Sequence, residues 1–182
     1  MSPDAEFRDG LLASIPKLRK FALALTHNRA MADDLVQETL VRAWANHHQF
    51  TRGTSLGSWL YTILRNECFS QARRRRREVV GSGIDSAALG MPPNQQGALD
   101  IQNLQLALTK IPVRQREALL LIGAEGLTYE EAAHICKVRV GTIKSRVSRA
   151  RCRLSEILDI RQKQDLGPDP NVCAAIQDLQ QV

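Results

Sequence analysis

Apolar residues recur at helical spacing from the start of the chain. Phe7, Leu11, Leu18 and Leu25 belong to a first series, which Pro16 interrupts. Because proline is tolerated at the start of a helix and disrupts its interior, this segment predicts a helix pair or a kinked helix. Asn28 can cap a second helix. The apolar positions of that helix recur at intervals of three and four, and they are Ala32, Leu35, Val36, Leu40, Ala43 and Trp44.

The other face of this second helix is predicted to be exposed, and it is acidic in a basic protein. It comprises Asp33, Asp34, Gln37, Glu38, Val41 and Arg42. After a loop that contains Phe50, Thr51 and Arg52, a third helix is predicted from about Ser55, and its stripe of Leu56, Leu60 and Ile63 also holds Trp59 and Phe69. The shared stripe predicts that both aromatic residues belong to the core. This helix ends in five arginines, which is more than capping requires: Arg73, Arg74, Arg75, Arg76 and Arg77.

Two short helical patterns near the C-terminus, separated by a break, are typical of a helix-turn-helix. Thr128 and Glu131 have the spacing of a capping box at the start of the first pattern. The second pattern starts near Thr142 and places Ile143, Val147, Ala150 and Leu154 within one narrow arc. These residues are predicted to be buried.

The solvent face of the second pattern combines hydroxyl groups with positive charge. Between Lys137 and Arg153 there are seven Lys or Arg residues and no acidic residue. Ser145, Ser148 and Arg149 point away from the buried arc, with Lys144, Arg146 and Arg153 beside them. Such a face suits the major groove of DNA, whereas a lone basic run would more simply be a solvated face. The accompanying cap and break favour nucleic-acid binding.

Composition divides the chain into two parts. Residues 79–99 contain four Gly, two Pro and no Lys or Arg, and we interpret them as a flexible linker. The predicted order is a domain over residues 1–78, the linker at 79–99, a domain over 100–165 and a tail at 166–182 that could form a short amphipathic helix. The fold class is therefore predicted as all-α, with two small helical domains.

Charge and cysteine usage narrow the function. The net charge of +6 favours a polyanionic partner. Cys68, Cys136, Cys152 and Cys173 form no CxxC pair and no secretory signal precedes them, so a reduced cytoplasmic protein is expected. His134 and Cys136 lack a second ligand pair, and neither a metal nor another cofactor is expected. No apolar run has membrane-spanning length.

Three segments together resemble bacterial RNA polymerase sigma factors of the extracytoplasmic-function (ECF) group. They read DDLVQETLVRAW, FTRGTSLGSWLYTILRNECFSQARRRRR and IPVRQREALLLIGAEGLTYEEAAHICKVRVGTIKSRVSRARCRL. The run QREALLLIGAEGLTYEEAAHIC is most similar to the general-stress type of alphaproteobacteria. The resemblance implies sigma domains two and four, which bind polymerase core and promoter DNA. It further implies control by an anti-sigma factor, with a free protein that is monomeric.

The resemblance also assigns candidate residues. Core polymerase would contact the second helix through Asp34, Gln37, Glu38 and Arg42. Minus-ten DNA, including one flipped base captured by the loop from Phe50 to Thr54, would contact Phe50, Thr51, Arg52, Asn66, Arg73, Arg74, Arg75, Arg76 and Arg77. Minus-thirty-five DNA would contact Thr142, Lys144, Ser145, Arg146, Ser148, Arg149 and Arg153.

The chain departs from the family at two places. Lys137 stands where the family has a turn glycine, and a residue with a side chain is penalised in the left-handed conformation. Housekeeping sigma factors carry adjacent tryptophans near the positions of Thr62 and Ile63. Their absence here implies weaker strand separation and more stringent promoter choice.

The sequence supports a transcription initiation factor that has no catalytic chemistry of its own. Two alternatives are a two-domain DNA-binding regulator that acts without polymerase and a metal-dependent nuclease using Asp33, Asp34 and Glu38. The regulator would need neither the acidic helix face nor a single-strand loop. The nuclease lacks a matching histidine or second acidic cluster.

Overall fold

The computed structural model describes residues 3–82 and 98–158. Within these ranges the chain forms helices and no strand, so the all-α prediction is confirmed. It divides into two compact units, Met1–Pro92 and Pro93–Val182. The helices are α1 Pro3–Thr26, α2 Arg29–Ala45, α3 Leu56–Ser82, α4 Ala98–Thr109, α5 Val113–Gly123, α6 Tyr129–Cys136 and α7 Val140–Ile157, with a 3₁₀ turn at His47–Gln49.

The first unit is built from α1, α2 and α3, which pack on one another in all three pairs. Its core contains Leu18 of α1, Leu35 of α2, and Leu60 and Leu64 of α3, all of them almost fully buried. The rings of Phe21 and Tyr61 lie 5.0 Å apart between centroids. Burial of these side chains is the main stabilising contribution, since a large apolar side chain contributes about 1.5–3 kcal/mol when it leaves water.

The first helix runs through Pro16 without a break, so the predicted helix pair is wrong. Proline removes the N–H that would bond to the carbonyl of Leu12. Leu12 is 57% exposed, on a side of α1 where water can replace that donor. The apolar residues on both sides of Pro16 share one core, which stabilises a continuous helix.

The start of α2 follows the prediction, whereas its end does not. Asn28 Oδ1 accepts a hydrogen bond from the Met31 N–H at 3.0 Å, which confirms the cap. Ala32, Leu35, Val36 and Ala43 are buried. Trp44 is 51% exposed, so its predicted place in the core is wrong. It is the last residue but one of the helix, where α1 and the 3₁₀ turn offer ring contacts but no enclosure.

Two helices extend into the predicted linker, one at each end of it. Val79–Ser82 continues α3 and Ala98–Leu99 begins α4, because extending an existing helix is far less costly than starting one. The rest of the predicted linker, residues 83–97, lies outside the described residues, as do the tail at 166–182 and Cys173. The finer domain boundaries stay predictions.

The second unit contains the helix-turn-helix. Its core includes Ile111, Leu121, Ile135, Ile143 and Val147. Arg116 Nη1 donates a hydrogen bond to the Leu108 carbonyl at 2.8 Å, which ties α5 to the end of α4. The capping box at the start of α6 is confirmed, because Thr128 Oγ1 accepts from the Glu131 N–H at 3.1 Å and Glu131 Oε2 accepts from the Thr128 N–H at 2.8 Å.

Candidate nucleic-acid and polymerase-binding surfaces

The solvent face of α7 is the first candidate surface. Ile143, Val147, Ala150 and Leu154 are buried as predicted. Away from them, Ser145, Arg149 and Arg153 are exposed, while Thr142, Lys144, Arg146 and Ser148 are half-buried. The helix begins at Val140, two residues earlier than predicted, with Arg139 at its N-cap. The structure thus places six of these seven candidate residues on an accessible basic face, and Arg146 lies partly beneath it.

Two side chains of this surface are held by the protein itself. Lys144 Nζ lies 5.8 Å from the centre of the Tyr129 ring, a cation–π contact that brings the lysine toward the start of α6. Arg146 Nη1 is buried, and it has no hydrogen-bond partner in the part of the chain that the structure describes. Arg146 therefore has less freedom to reach a phosphate than Arg149 or Arg153.

The turn before α7 keeps the left-handed conformation at Lys137, the position where the family has a turn glycine. Lys137 has φ 53° and ψ 48°. Its N–H contacts the carbonyls of Ala133 and His134, and the Val138 N–H bonds to Ala133 at 3.1 Å. A left-handed residue with a Cβ costs roughly 1–2 kcal/mol. The turn therefore forms with lysine in place of glycine, at some cost in stability.

The exposed face of α2 is the second candidate surface. Asp34 and Gln37 are exposed, and Glu38 is partly exposed. Val41, one turn after Gln37 and Glu38, is 58% exposed and was not among the predicted contacts. An apolar centre with a polar rim is the usual anatomy of a protein-binding surface. The surface is therefore less uniformly acidic than its sequence suggests, because Arg42 also neutralises part of its charge.

Arg42 connects two carboxylates. Its Nε lies 2.7 Å from Glu38 Oε1 and its Nη1 lies 2.9 Å from Glu67 Oε1. The hydrogen bond that Arg42 donates to Glu38 raises the pKa of Arg42, and the negative charge of Glu67 adds to this effect. Arg42 is therefore a permanent cation between the outer face of α2 and the inner side of α3.

The loop before α3 is anchored by aromatic residues. The Phe50 ring lies 5.7 Å from Phe7 and 5.5 Å from Trp59. Thr51 and Arg52 are exposed, and Gly53 has φ +86°, a conformation that favours glycine. Phe50 is half-buried against these rings and anchors the loop, whereas the neighbouring Thr51 and Arg52 side chains are exposed.

The two aromatic residues of α3 are placed less deeply than predicted. Trp59 and Phe69 are both half-buried rather than enclosed in the core. The Arg65 guanidinium lies 4.9 Å from the centre of the Phe69 ring and covers one side of it. Trp59 packs against Phe7 and Phe50, with centroids 6.2 and 5.5 Å away.

An open cavity of about 220 Å³ lies between the C-terminal part of α2 and the middle of α3. It brings together two residues that the sequence had assigned to different partners, Arg42 and Asn66. Glu67 also lines it and is only 8% exposed. Its place in the apolar stripe of α3, four residues after Ile63, is the signal that could have identified it. The complete lining is Arg42, Asn46, Gln49, Trp59, Ile63, Asn66 and Glu67.

The arginine run continues α3 beyond the cavity. Arg73, Arg74, Arg75 and Arg77 are exposed, whereas the side chain of Arg76 lies outside the described residues. Consecutive helical residues point in different directions, so the run surrounds the helix with charge. Arg75 Nη1 contacts Met31 Sδ at 2.8 Å and therefore lies against the start of α2.

The carboxylates of the nuclease alternative do not converge. Asp33 Oδ1 is engaged by Arg19 Nε at 2.6 Å, and Glu38 is engaged by Arg42. Across residues 3–82 and 98–158, no group of three or more His, Cys, Asp or Glu residues is arranged to hold a metal ion. None of the helices in the same ranges is both long and apolar enough to span a membrane.

Comparison with known proteins assigns a family to each unit. The model of Sigma-70 region 2 matches residues 12–78, and the model of Sigma-70 region 4 matches residues 101–154. The ECF RNA polymerase sigma factor EcfG of Rhodopseudomonas palustris is 51% identical over 170 residues, which cover 93% of this chain and 94% of that protein. The ECF RNA polymerase sigma factor SigM of Bacillus subtilis is 30% identical over 76% of this chain and 86% of its own length.

A solved structure is similar over most of the chain. It is the sigma factor RpoE in complex with the anti-sigma factor NepR from Bartonella quintana, which is 49% identical in sequence. The match has a TM-score of 0.80 and covers 86% of this chain and 99% of that one.

Proposed function

This chain belongs to the ECF group of RNA polymerase sigma factors, and we propose that it directs the polymerase to stress-response promoters under the control of an anti-sigma factor. One observation carries the proposal. Region 2 and region 4 occur on one chain in that order, and each falls on one compact unit. The first supplies a polymerase-binding helix and the second a DNA-reading helix.

The face of α2, the loop and arginine run of α3, and the face of α7 each make a different contact during initiation. The outer face of α2 binds core polymerase through Asp34, Gln37 and Glu38, with the exposed Val41 as the apolar centre of the contact. The loop around Thr51 and Arg52 and the arginine run of α3 bind minus-ten DNA. The basic face of α7 reads the minus-thirty-five element from the major groove.

The match to both sigma regions supports a sigma factor and not a regulator that acts without polymerase. Sigma factors are a non-enzymatic family of initiation factors. We propose that this chain likewise catalyses no reaction and that the polymerase alone synthesises the RNA. It would work in the bacterial cytoplasm, where polymerase and promoter DNA are found, as a monomer when free.

Regulation by an anti-sigma factor follows from the solved relative. RpoE of Bartonella quintana is held in a complex with NepR, and it shares 49% of its residues with this chain. We propose that a protein of the NepR kind binds this chain and prevents its association with polymerase. Purified NepR of Bartonella quintana should co-elute with the chain and reduce its binding to core. If NepR neither co-elutes with the chain nor reduces its binding to core, this part of the proposal is contradicted.

In vitro transcription tests the main proposal. Core polymerase alone and core with this chain would be supplied with a library of DNA fragments that carry randomised promoter sequences, and the transcripts would be sequenced. The expected result is a set of transcripts that share two upstream elements and appear only with the chain present. Specific binding to DNA without polymerase, together with no new transcripts, would support the regulator instead.

A further inference from the structure

Ser145, on the solvent face of α7, has a hydroxyl group whose proton is already engaged. Its Oγ lies 2.9 Å from the backbone carbonyl oxygen of Thr142, one turn earlier in the helix. A carbonyl oxygen has no proton to give, so the Ser145 hydroxyl must be the donor. Serine in a helix commonly bonds to a carbonyl of the preceding turn in this way. The Ser145 oxygen therefore offers a ligand its lone pairs and no proton.

The position of Ser145 makes this oxygen accessible from a groove. Ser145 is exposed, and at about 100° per residue it lies on the opposite side of the helix axis from the buried Ile143. The helix begins at Val140, so Ser145 belongs to its second turn. The N-terminal residues of a recognition helix are those that contact base edges. The Ser145 oxygen is thus placed to meet a base in the major groove.

An oxygen that can only accept distinguishes between bases. In general a serine hydroxyl can bond either to a donor or to an acceptor in the major groove. Adenine presents the N6 amino group there and cytosine the N4 amino group, and both groups are donors. Guanine presents N7 and O6, and thymine presents O4, all of which are acceptors. On the strand that it contacts, Ser145 therefore favours adenine or cytosine.

Arg149 indicates where in the promoter element this base lies. It follows Ser145 by four residues, on the same side of α7 and about 6 Å further along the helix axis. Neighbouring bases of one strand are about 3.4 Å apart, so this distance corresponds to roughly two base pairs. The base that Ser145 contacts is expected at that separation from the guanine assigned to Arg149.

We propose that Ser145 is a specificity-determining residue, which selects adenine or cytosine within about two base pairs of the guanine that Arg149 binds. The inference rests on the proposed function, in which α7 lies in the major groove. Ser145 Oγ accepts a hydrogen bond from the exocyclic amino group while its own proton stays on the Thr142 carbonyl. A hydroxyl that turned to donate to guanine or thymine would lose this internal bond for the one it gained, so these bases are disfavoured.

The test uses holoenzyme and double-stranded promoter fragments. Single-base variants first identify each position of the minus-thirty-five element at which adenine or cytosine is preferred. At each such position the base is then replaced by an analogue without the amino group, unsubstituted purine for adenine or 2-pyrimidinone for cytosine. The discrimination factor is the Kd with the analogue divided by the Kd with the natural base.

At one position the wild-type factor should exceed that of Ser145→Ala by about 3- to 10-fold, the range for one hydrogen bond between neutral groups. Comparing the two proteins on the same DNA cancels the effect of the analogue on the duplex itself. Alanine is a strong helix former, so this variant is expected to form holoenzyme. If it does not, Ser145→Cys should lower the factor instead, because sulfur is a weak acceptor.

Ser14→Ala is the matched control. Ser14 Oγ donates to the Gly10 carbonyl at 2.8 Å, which is the same kind of internal bond, but on α1 and outside the candidate DNA-binding surfaces. The discrimination factor of this variant should equal that of the wild type at every position.

The outcomes separate the inference from the proposed function. Equal factors in the wild type and Ser145→Ala at every position overturn the inference. A Ser145→Ala holoenzyme that relaxes a preference for guanine or thymine also overturns it, because the hydroxyl would then act as a donor. Failure of the wild-type chain to form holoenzyme, or of that holoenzyme to bind any promoter DNA, instead overturns the proposed function.

Discussion

Glu38 and Arg42 lie one turn apart on α2 and form an ion pair, with Glu38 Oε1 2.7 Å from Arg42 Nε. About half of each side chain is exposed, so the pair contributes little to stability by itself. Its importance lies in its position at the edge of the proposed polymerase-binding face. A partner that contacts Glu38 must either share this carboxylate with Arg42 or displace the arginine.

Glu38→Arg is expected to weaken binding to core polymerase. Charge reversal at a close protein–protein contact costs several kcal/mol, whereas an exposed charge outside an interface changes binding by about 1 kcal/mol or less. Because the new side chain would also lie beside Arg42, circular dichroism must first show that α2 is intact. The matched control is Glu6→Arg at an exposed position of α1. Equal affinity of the folded variant and the wild type for core would contradict the assignment.

Arg149→Ala should relax specificity at one position of the minus-thirty-five element. Arg149 is exposed and points away from the buried side of α7, so it can bind a guanine with two hydrogen bonds, which are worth about 1–3 kcal/mol of discrimination. Lys144→Ala should instead weaken binding to all sequences and lower the salt slope by about one unit. Holoenzyme binding to single-base promoter variants at several salt concentrations measures both effects. The reverse assignment would mean that α7 enters the groove in another orientation.

Arg146→Ala should reduce stability more than it changes DNA binding. Its side chain is half-buried with Nη1 fully enclosed, so a shorter side chain is expected to remove packing around the arginine stem. The expected loss is about 1 kcal/mol or more in urea unfolding. Arg153→Ala is the matched control, because Arg153 is an exposed arginine on the same helix. If Arg146→Ala keeps full stability and loses one unit of salt slope, the sequence-based assignment to a phosphate is correct.

Lys137→Gly should stabilise the second unit. Lys137 has φ 53°, and glycine adopts this conformation without the steric penalty of a Cβ. The gain is expected to be up to about 1 kcal/mol, because the greater entropy of glycine in the unfolded chain offsets part of it. Arg139→Gly serves as the control, since Arg139 has φ −69° in the same turn and should gain nothing. Thermal unfolding of both variants measures the difference. A loss of stability in Lys137→Gly would contradict the conclusion that Lys137 is strained.

The features that the sequence determined by itself are those that depend on neighbours along the chain. The apolar arc of Ile143, Val147, Ala150 and Leu154 follows from helical periodicity, and the Asn28 cap and the Thr128–Glu131 capping box depend on residues only three positions apart. The family resemblance, and not local pattern, marked Lys137 as the position of a turn glycine, and the structure gives it φ 53°. Motif spacing was also sufficient for the family, because the sigma regions are defined by contiguous segments.

Tertiary structure decided the features that depend on packing between helices. Helical periodicity assigned Trp44 to the core. In the folded unit Phe7 and His47 contact its ring, but the residue stays 51% exposed. Periodicity also allowed a break at Pro16, which the shared core of unit one overrides. The cavity is the clearest case, because Arg42 on α2 and Glu67 on α3 are 25 positions apart in sequence and meet at 2.9 Å only when the helices pack. The sequence pattern indicates on which face of a helix a residue lies. The burial and the contacts of that residue depend on which element packs against that face.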